Sequence, residues 1–177
     1  MELWEHIRYD PVHGAKALMD GYGVRLFKTA YRLCSNTATA EDLAARTIAQ
    51  AVHRIDQYVA DTSFFGWLCA ILVNFYRMDL RRKGANVLVF TDELPEKEDE
   101  RADPAEILEA ETDAKAIRAA VEQLSPALRE AVILRYFNEF PEAEIARALG
   151  TSVGAVKVRL HAARRKLKEI LSLTLYG

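Results

Sequence analysis

Apolar residues recur along most of this 177-residue chain at the spacing that places them on one face of a helix. Such stripes run through Leu18, Tyr22, Leu26, Ala30 and Leu33, then Leu43, Ile48, Val52 and Ile55, then Trp67, Ile71 and Phe75. They resume with Ile117, Val121 and Leu124, continue through Leu128, Val132 and Phe137, and end in Ile145, Ala146 and Leu149 followed by Val156, Leu160, Ala163 and Leu167. No strong period-two alternation competes with them, and the β-prone run 87–90 (VLVF) has no credible partner. The pattern predicts an all-α fold without internal repeats. Thr39 with Asp42 fits a capping-box start, with Asp for the usual Glu. A further helix is expected to begin near Ser63, and Ser125 followed by Pro126 reads as a cap with proline in the first turn.

The last two stripes are broken at Gly150, the residue type that most readily takes the left-handed conformation just past a helix end, and Thr151 or Ser152 is placed to cap the second helix. This is the pattern of a helix-turn-helix. On the wheel of the second helix, Val156, Leu160, Ala163 and Leu167 face inward, while Gly154, Val158, His161, Ala162 and Arg165 face the opposite way, flanked by Lys157, Arg164 and Lys168. Residues 150–170 hold six Lys or Arg and one acid, Glu169. A helix with that excess suits a groove lined by phosphates, its small first residues allowing close approach and its later cations reaching the backbone. The helix macrodipole also favours a cationic C-terminal end, so charge alone does not separate a DNA reader from a solvated helix end.

Charge is unevenly distributed behind the formal net of -2. Residues 91–113 carry eleven acids against Lys97 and Arg101, with Pro95 and Pro104 among them, which reads as a linker with a helical far end at Ile107 and Leu108. A solvated spacer and a competitor of DNA for the basic helix are both consistent with such a run. The linker implies two small helical domains, residues 1–88 and 114–177, joined through 89–113. Cys34 and Cys69 lie far apart in apolar surroundings, which predicts two buried thiols and no disulfide framework or metal site. The first residues lack the basic and apolar regions of a secretory signal, and the apolar run 67–73 is too short to span a bilayer, so the expected location is cytoplasmic, without membrane insertion.

A second basic cluster, Arg77, Arg81, Arg82 and Lys83 around Asp79, follows the rings of Tyr58, Phe64, Phe65, Trp67, Phe75 and Tyr76. Rings beside cations hold unpaired bases by stacking and backbone neutralisation, although most of these rings also suit a core, Trp67 above all. Asn74 carries an amide able to read a base edge or to satisfy a local hydrogen bond.

Taken in order, the motifs 39–43 (TAEDL), 67–68 (WL), 73–74 (VN) and 79–82 (DLRR), then 124–126 (LSP), 131–137 (AVILRYF), 144–146 (EIA), 149–150 (LG) and 153–160 (VGAVKVRL), resemble the extracytoplasmic-function group of bacterial sigma factors over nearly the whole chain. The resemblance implies a non-catalytic subunit that binds core RNA polymerase and directs it to promoter DNA, its first domain matching sigma region 2 and its second sigma region 4. It implies duplex recognition of a minus-35 element through Lys157, Val158, Arg159 and His161, with Thr151, Ser152, Arg164 and Arg165 around them. It implies capture of a flipped minus-10 base in the loop from Tyr58 through Asp61 and Ser63 to Phe64, with Asn74, Arg77, Arg81 and Arg82 nearby. Polymerase contact would fall to Glu41, Asp42, Arg46 and Gln50, and an anti-sigma factor would restrain the protein. The chain departs from the family pattern at Ala45 and Arg46, where Gln-Glu is usual. It departs again at Ala155, Val158 and Ala162, which stand for Thr, Ser and Arg, and at Pro141, which stands for a capping Ser.

Two other functions remain open on the residues alone. One is a sigma mimic that titrates an anti-sigma factor, which Ala45 and Arg46 favour. The other is a dimeric helix-turn-helix repressor, which leaves the second cluster unexplained. His6, His13, His53 and His161 show no ligand spacing and there is no glycine-rich phosphate loop, so neither an enzyme nor a cofactor, metal or small-molecule substrate is expected.

Overall fold

The computed structural model describes residues 1–84 and 114–176, and all regular structure among them is helical. The acidic run, the 87–90 segment and both expected domain boundaries fall outside the described residues. The chain divides into two compact units, the first containing α1 (Leu3–Tyr9), α2 (Pro11–Cys34), α3 (Thr37–His53) and α4 (Phe64–Arg82). The second unit begins with α5 (Ala114–Glu122) and α6 (Pro126–Val132), and α7 (Glu142–Leu149) and α8 (Val153–Tyr176) come after them in sequence.

Helices α2, α3 and α4 each start after a residue whose side chain supplies an acceptor. Asp10 caps α2 through its carboxylate, which accepts from the His13 amide at 3.1 Å, and Pro11 occupies the first turn, where no amide hydrogen is needed. That backbone hydrogen bond holds the Asp10 carboxyl below its ordinary value, and the His13 side chain adds to the effect. Helix α3 begins before the expected capping box. Asn36 Oδ1 accepts from the Thr39 amide at 2.8 Å, leaving Thr39 and Asp42 inside the first turns. An asparagine in extended backbone after the left-handed Ser35 takes the cap because its short amide reaches the third amide on. Ser63 caps α4 as expected, its Oγ accepting from Gly66 at 3.0 Å.

Helix α3 buries Ala40, Leu43, Ala44, Thr47, Ile48 and Ala51, a stripe of mostly small side chains that lets α2 and α4 come close. The Thr47 hydroxyl is satisfied by donating to Leu43 O at 2.7 Å. In α4 the buried face is Phe65, Leu68, Cys69, Leu72, Val73 and Tyr76, whereas Trp67, Ile71 and Phe75 are only half-buried. The expected stripe is therefore one register off. This helix is apolar on both flanks, and periodicity alone does not select between neighbouring stripes. Cys69 is buried as expected, but Cys34 is only half-buried because it ends α2, where its thiol donates to Asn36 O.

In the second unit Arg129 donates to the carbonyls of Val121, Glu122 and Leu124 at 3.2, 2.5 and 2.9 Å, closing the C-terminal end of α5 with a cation where the helix presents unpaired acceptors. Helix α6 widens into one π turn, Ile133–Phe137, which buries Ile133 and Leu134.

Candidate nucleic-acid interface

The turn between α7 and α8 is built by hydrogen bonds from two consecutive amides. Gly150 N donates to Arg147 O at 3.3 Å and Thr151 N to Ala146 O at 2.9 Å, and Gly150 sits at φ 66°. Ser152 rather than Thr151 caps α8, its Oγ accepting from Ala155 at 3.1 Å. Helix α7 starts without a side-chain cap: the Glu144 and Ile145 amides donate to Pro141 O. Val156, Leu160, Ala163 and Leu167 are all buried, as the wheel predicts.

The outer residues of α8 are less uniform than the wheel suggests. Lys157 has a 63% exposed side chain and meets Glu142 of α7 at 3.9 Å, while Ser152, Gly154 and Arg165 are open to solvent. Thr151, His161 and Arg164 are half-buried, and Arg164 Nε donates back to Leu160 O at 3.2 Å. Val158 is only 5% exposed, so the structure does not offer it to a base. An aliphatic side chain gains about 1.5–3 kcal/mol by leaving water, a drive that a wheel projection does not contain. Arg159 is half-buried as well, with Nε and Nη1 out of solvent and without hydrogen-bond partners among the described residues. The exposed cations of α8 are thus Lys157, Arg165, Lys166 and Lys168, and the exposed apolar Val153 at the helix start is one that the sequence pattern does not single out.

The second candidate surface surrounds residues 55–64. Ile55–Gln57 forms one 3-10 turn, and the loop behind it closes on itself: Thr62 N and Thr62 Oγ1 donate to Val59 O, and the Tyr58 hydroxyl donates to Thr62 O. Tyr58 is 6% exposed, and burial pushes its phenol above the usual range. It is therefore a pillar of the loop and not a base-stacking surface. Its ring packs against Phe64 at 5.0 Å, Trp67 at 5.5 Å and Trp4 at 5.9 Å. Tyr22 continues the cluster to Phe65, and the Arg25 guanidinium lies 3.8 Å over the Phe65 ring. What the loop presents outward is Val59, at 61% exposure, with Ala60 and Asp61. Ser63 is engaged in capping and Phe64 is half-buried, while Asn74, Arg81 and Arg82 are exposed along α4 and Arg77 is half-buried. Trp4, Tyr22 and Arg25 join this cluster from other helices, and nothing in their local sequence ties them to the loop.

The residues expected to meet polymerase divide in the same manner. Glu41 and Asp42 are exposed, and Gln50 is half-buried beside Arg54. Arg46 turns inward: Nη1 and Nη2 donate to the two Asp79 oxygens at 3.2 and 2.5 Å, Nε lies 2.8 Å from Asp42, and Phe75 packs 5.0 Å from the guanidinium carbon. The Asp79 carboxylate pushes the Arg46 pKa further up. Its charge is matched inside the first unit, so Arg46 does not project as a lone cation on the α3 surface.

The described residues thus present a capped cationic helix in one unit and a ring cluster with its guanidiniums in the other. Residues 18–86 match the sigma-70 region 2 family and residues 114–167 the sigma-70 region 4 family. The chain is similar to the ECF RNA polymerase sigma factor SigE of Mycolicibacterium smegmatis, at 32% identity over 84% of this chain and 58% of that protein. It is also similar to the RNA polymerase sigma factor CarQ of Myxococcus xanthus, at 33% identity over 79% of both. Its fold matches the sigma factor RpoE solved in complex with the anti-sigma factor NepR from Bartonella quintana, at a TM-score of 0.67 and 26% identity, covering 89% of this chain and 96% of that one. The chain belongs to the extracytoplasmic-function family of RNA polymerase sigma factors. It spans less than two thirds of the length of SigE. Among the described residues no helix is long and apolar enough to cross a membrane.

Proposed function

We propose that this protein is a promoter-specificity subunit that binds core RNA polymerase, recognises duplex DNA through α8 and holds the separated strand at the first unit. In this division residues 1–88 serve the polymerase and the minus-10 element, residues 114–177 serve the minus-35 element, and 89–113 join them. The observation that carries the reading is the presence in one chain of two chemically different surfaces, each of a kind that suits nucleic acid. One is a capped helix with exposed Lys157 and Arg165; the other is an aromatic cluster bordered by Arg8 and Arg25, with the exposed Arg81 and Arg82 at the far end of the same α4. A duplex reader needs only the first. Holding unpaired bases needs the second, because stacking and backbone neutralisation must offset the few kcal/mol lost on unstacking. An anti-sigma factor as negative regulator is part of the proposal, supported by the likeness to RpoE, which was solved with NepR.

Arg46 removes a reason to prefer a polymerase-blind mimic. Its charge is satisfied by Asp42 and Asp79, and Glu41 stays exposed on α3 with no ion pair among the described residues. Run-off transcription with purified core polymerase from the same organism, on a library of its genomic fragments, tests the function. The expected result is a small set of discrete starts that require this protein. A folded protein that gives none, yet binds an anti-sigma factor tightly, would transfer the assignment to the mimic.

A further inference from the structure

The short helix α1 lies ahead of the residues matched by the region 2 family, yet it makes specific contacts with the strand-holding loop. Arg8 Nη2 donates to Ile55 O at 3.4 Å, and Arg8 Nε lies 3.2 Å from Asp56, so one guanidinium grips both the backbone and a side chain of the 3-10 turn. The same guanidinium lies 4.9 Å from the Trp4 ring, which packs 5.9 Å from Tyr58. Tyr58 in turn donates to Thr62 O. A continuous set of contacts therefore runs from α1 through Trp4 and Tyr58 to the base of the exposed tip, Val59 to Asp61. Helix α1 is itself fixed on α2, because Ile7 is fully buried and a side chain at Gly14 would come within 2.6 Å of the Ile7 backbone.

We propose that α1 is a strut that sets the position of the 58–63 loop, with Arg8 and Trp4 as positioning residues that determine how selectively the loop holds an unpaired base. The inference rests on the strand-holding role proposed above. The loop tip is secured by its own short hydrogen bonds, which fix its internal shape but not its place on the domain. Placement is supplied from outside the loop: Arg8 of α1 bonds the backbone of the 3-10 turn, Ile55–Gln57, that leads into it, and Trp4 packs on Tyr58 at its base. Misplacement of a recognition surface by about 1 Å costs up to about 100-fold in the step it serves, even when the altered residue is remote. The ion pair with the exposed Asp56 contributes little energy of its own, so loss of Arg8 would alter geometry more than global stability.

The test uses the full-length protein with core polymerase on promoter templates carrying a pre-melted minus-10 segment, with each of the four bases in turn at the captured position. Wild type is expected to discriminate among the bases. Arg8→Ala and Trp4→Ala are expected to reduce that discrimination by about 10-fold or more while binding to a minus-35 duplex stays unchanged, and Trp4→Phe, which keeps a ring against Tyr58, is expected to restore most of it. Variants that melt with the wild type but retain its full base preference would overturn the strut. So would a uniform loss of activity on all four templates, which marks a purely structural role. If the wild type itself shows no preference, the strand-holding reading fails and the strut fails with it.

Discussion

Arg46 shows how a single charge changes meaning with its surroundings. Read along the chain it is a cation where the family places Gln-Glu, on a helix expected to meet polymerase. In the folded domain it forms a two-point hydrogen-bonded pair with Asp79 and also meets Asp42, so it ties α3 to α4. Restoring the family's acid at this site would place a third carboxylate beside two others. Arg46→Ala is expected to cost roughly 1–3 kcal/mol, the worth of charge-assisted hydrogen bonds in a half-buried site, and Arg46→Glu more than that. Combining Arg46→Glu with Asp79→Arg is expected to recover most of the loss. Urea denaturation of wild type, Arg46→Glu, Asp79→Arg and the double variant checks this as a double-mutant cycle, and independent, additive costs would show that the pair does not hold the helices together. Val158 and Tyr58 carry the same lesson in apolar form, since the family resemblance implies DNA contact for each and each is buried.

Among the elements, the most legible were those whose stripe was bounded by a conformational marker. Leu160 and its partners are buried on the predicted face of α8, because the left-handed Gly150 fixes where one helix ends and the next phase begins. Helix α4 was read one register off because aromatic and aliphatic residues occupy two neighbouring stripes, and only packing against α2 and α3 selects the inner one. The cap of α3 went to Asn36 instead of Thr39 for a related reason: two plausible caps stood three residues apart, and backbone geometry chose the first. The ring cluster is legible in sequence only in part: Tyr58, Phe64 and Trp67 lie close along the chain, whereas Trp4 and Tyr22 join them only by tertiary packing. Two glycines make the elemental constraints measurable. At Gly150, where a side chain would meet nothing but φ is 66°, alanine is expected to cost about 1–2 kcal/mol from the left-handed backbone alone. Gly14→Ala works by a different mechanism, driving a Cβ into the Ile7 backbone, and is expected to cost about 1–3 kcal/mol and to loosen α1. Hydrogen exchange separates the two: α1 amides should lose protection only in Gly14→Ala, and equal loss in both variants would contradict the assignment.

At the scale of the whole molecule, the charge distribution reconciles a net charge of -2 with the two DNA-facing surfaces proposed above. Eleven acids lie in residues 91–113, while the cations gather on α8 and at the end of α4, so local fields and not the total decide binding. The two surfaces differ chemically, and their roles should therefore separate by mutation. Lys157→Ala/Arg165→Ala removes exposed cations from α8, the helix proposed to read duplex, and Asn74→Ala/Arg81→Ala removes exposed polar groups from one face of α4, proposed to hold the separated strand. The most direct measurement is permanganate reactivity of unpaired thymines on a cognate promoter, read alongside polymerase binding to the closed duplex. The predicted result is that the first pair loses both signals, whereas the second keeps duplex binding and loses strand opening. Strand opening that survives in the second pair, or duplex binding that survives in the first, would contradict the assignment of two distinct nucleic-acid surfaces to this chain.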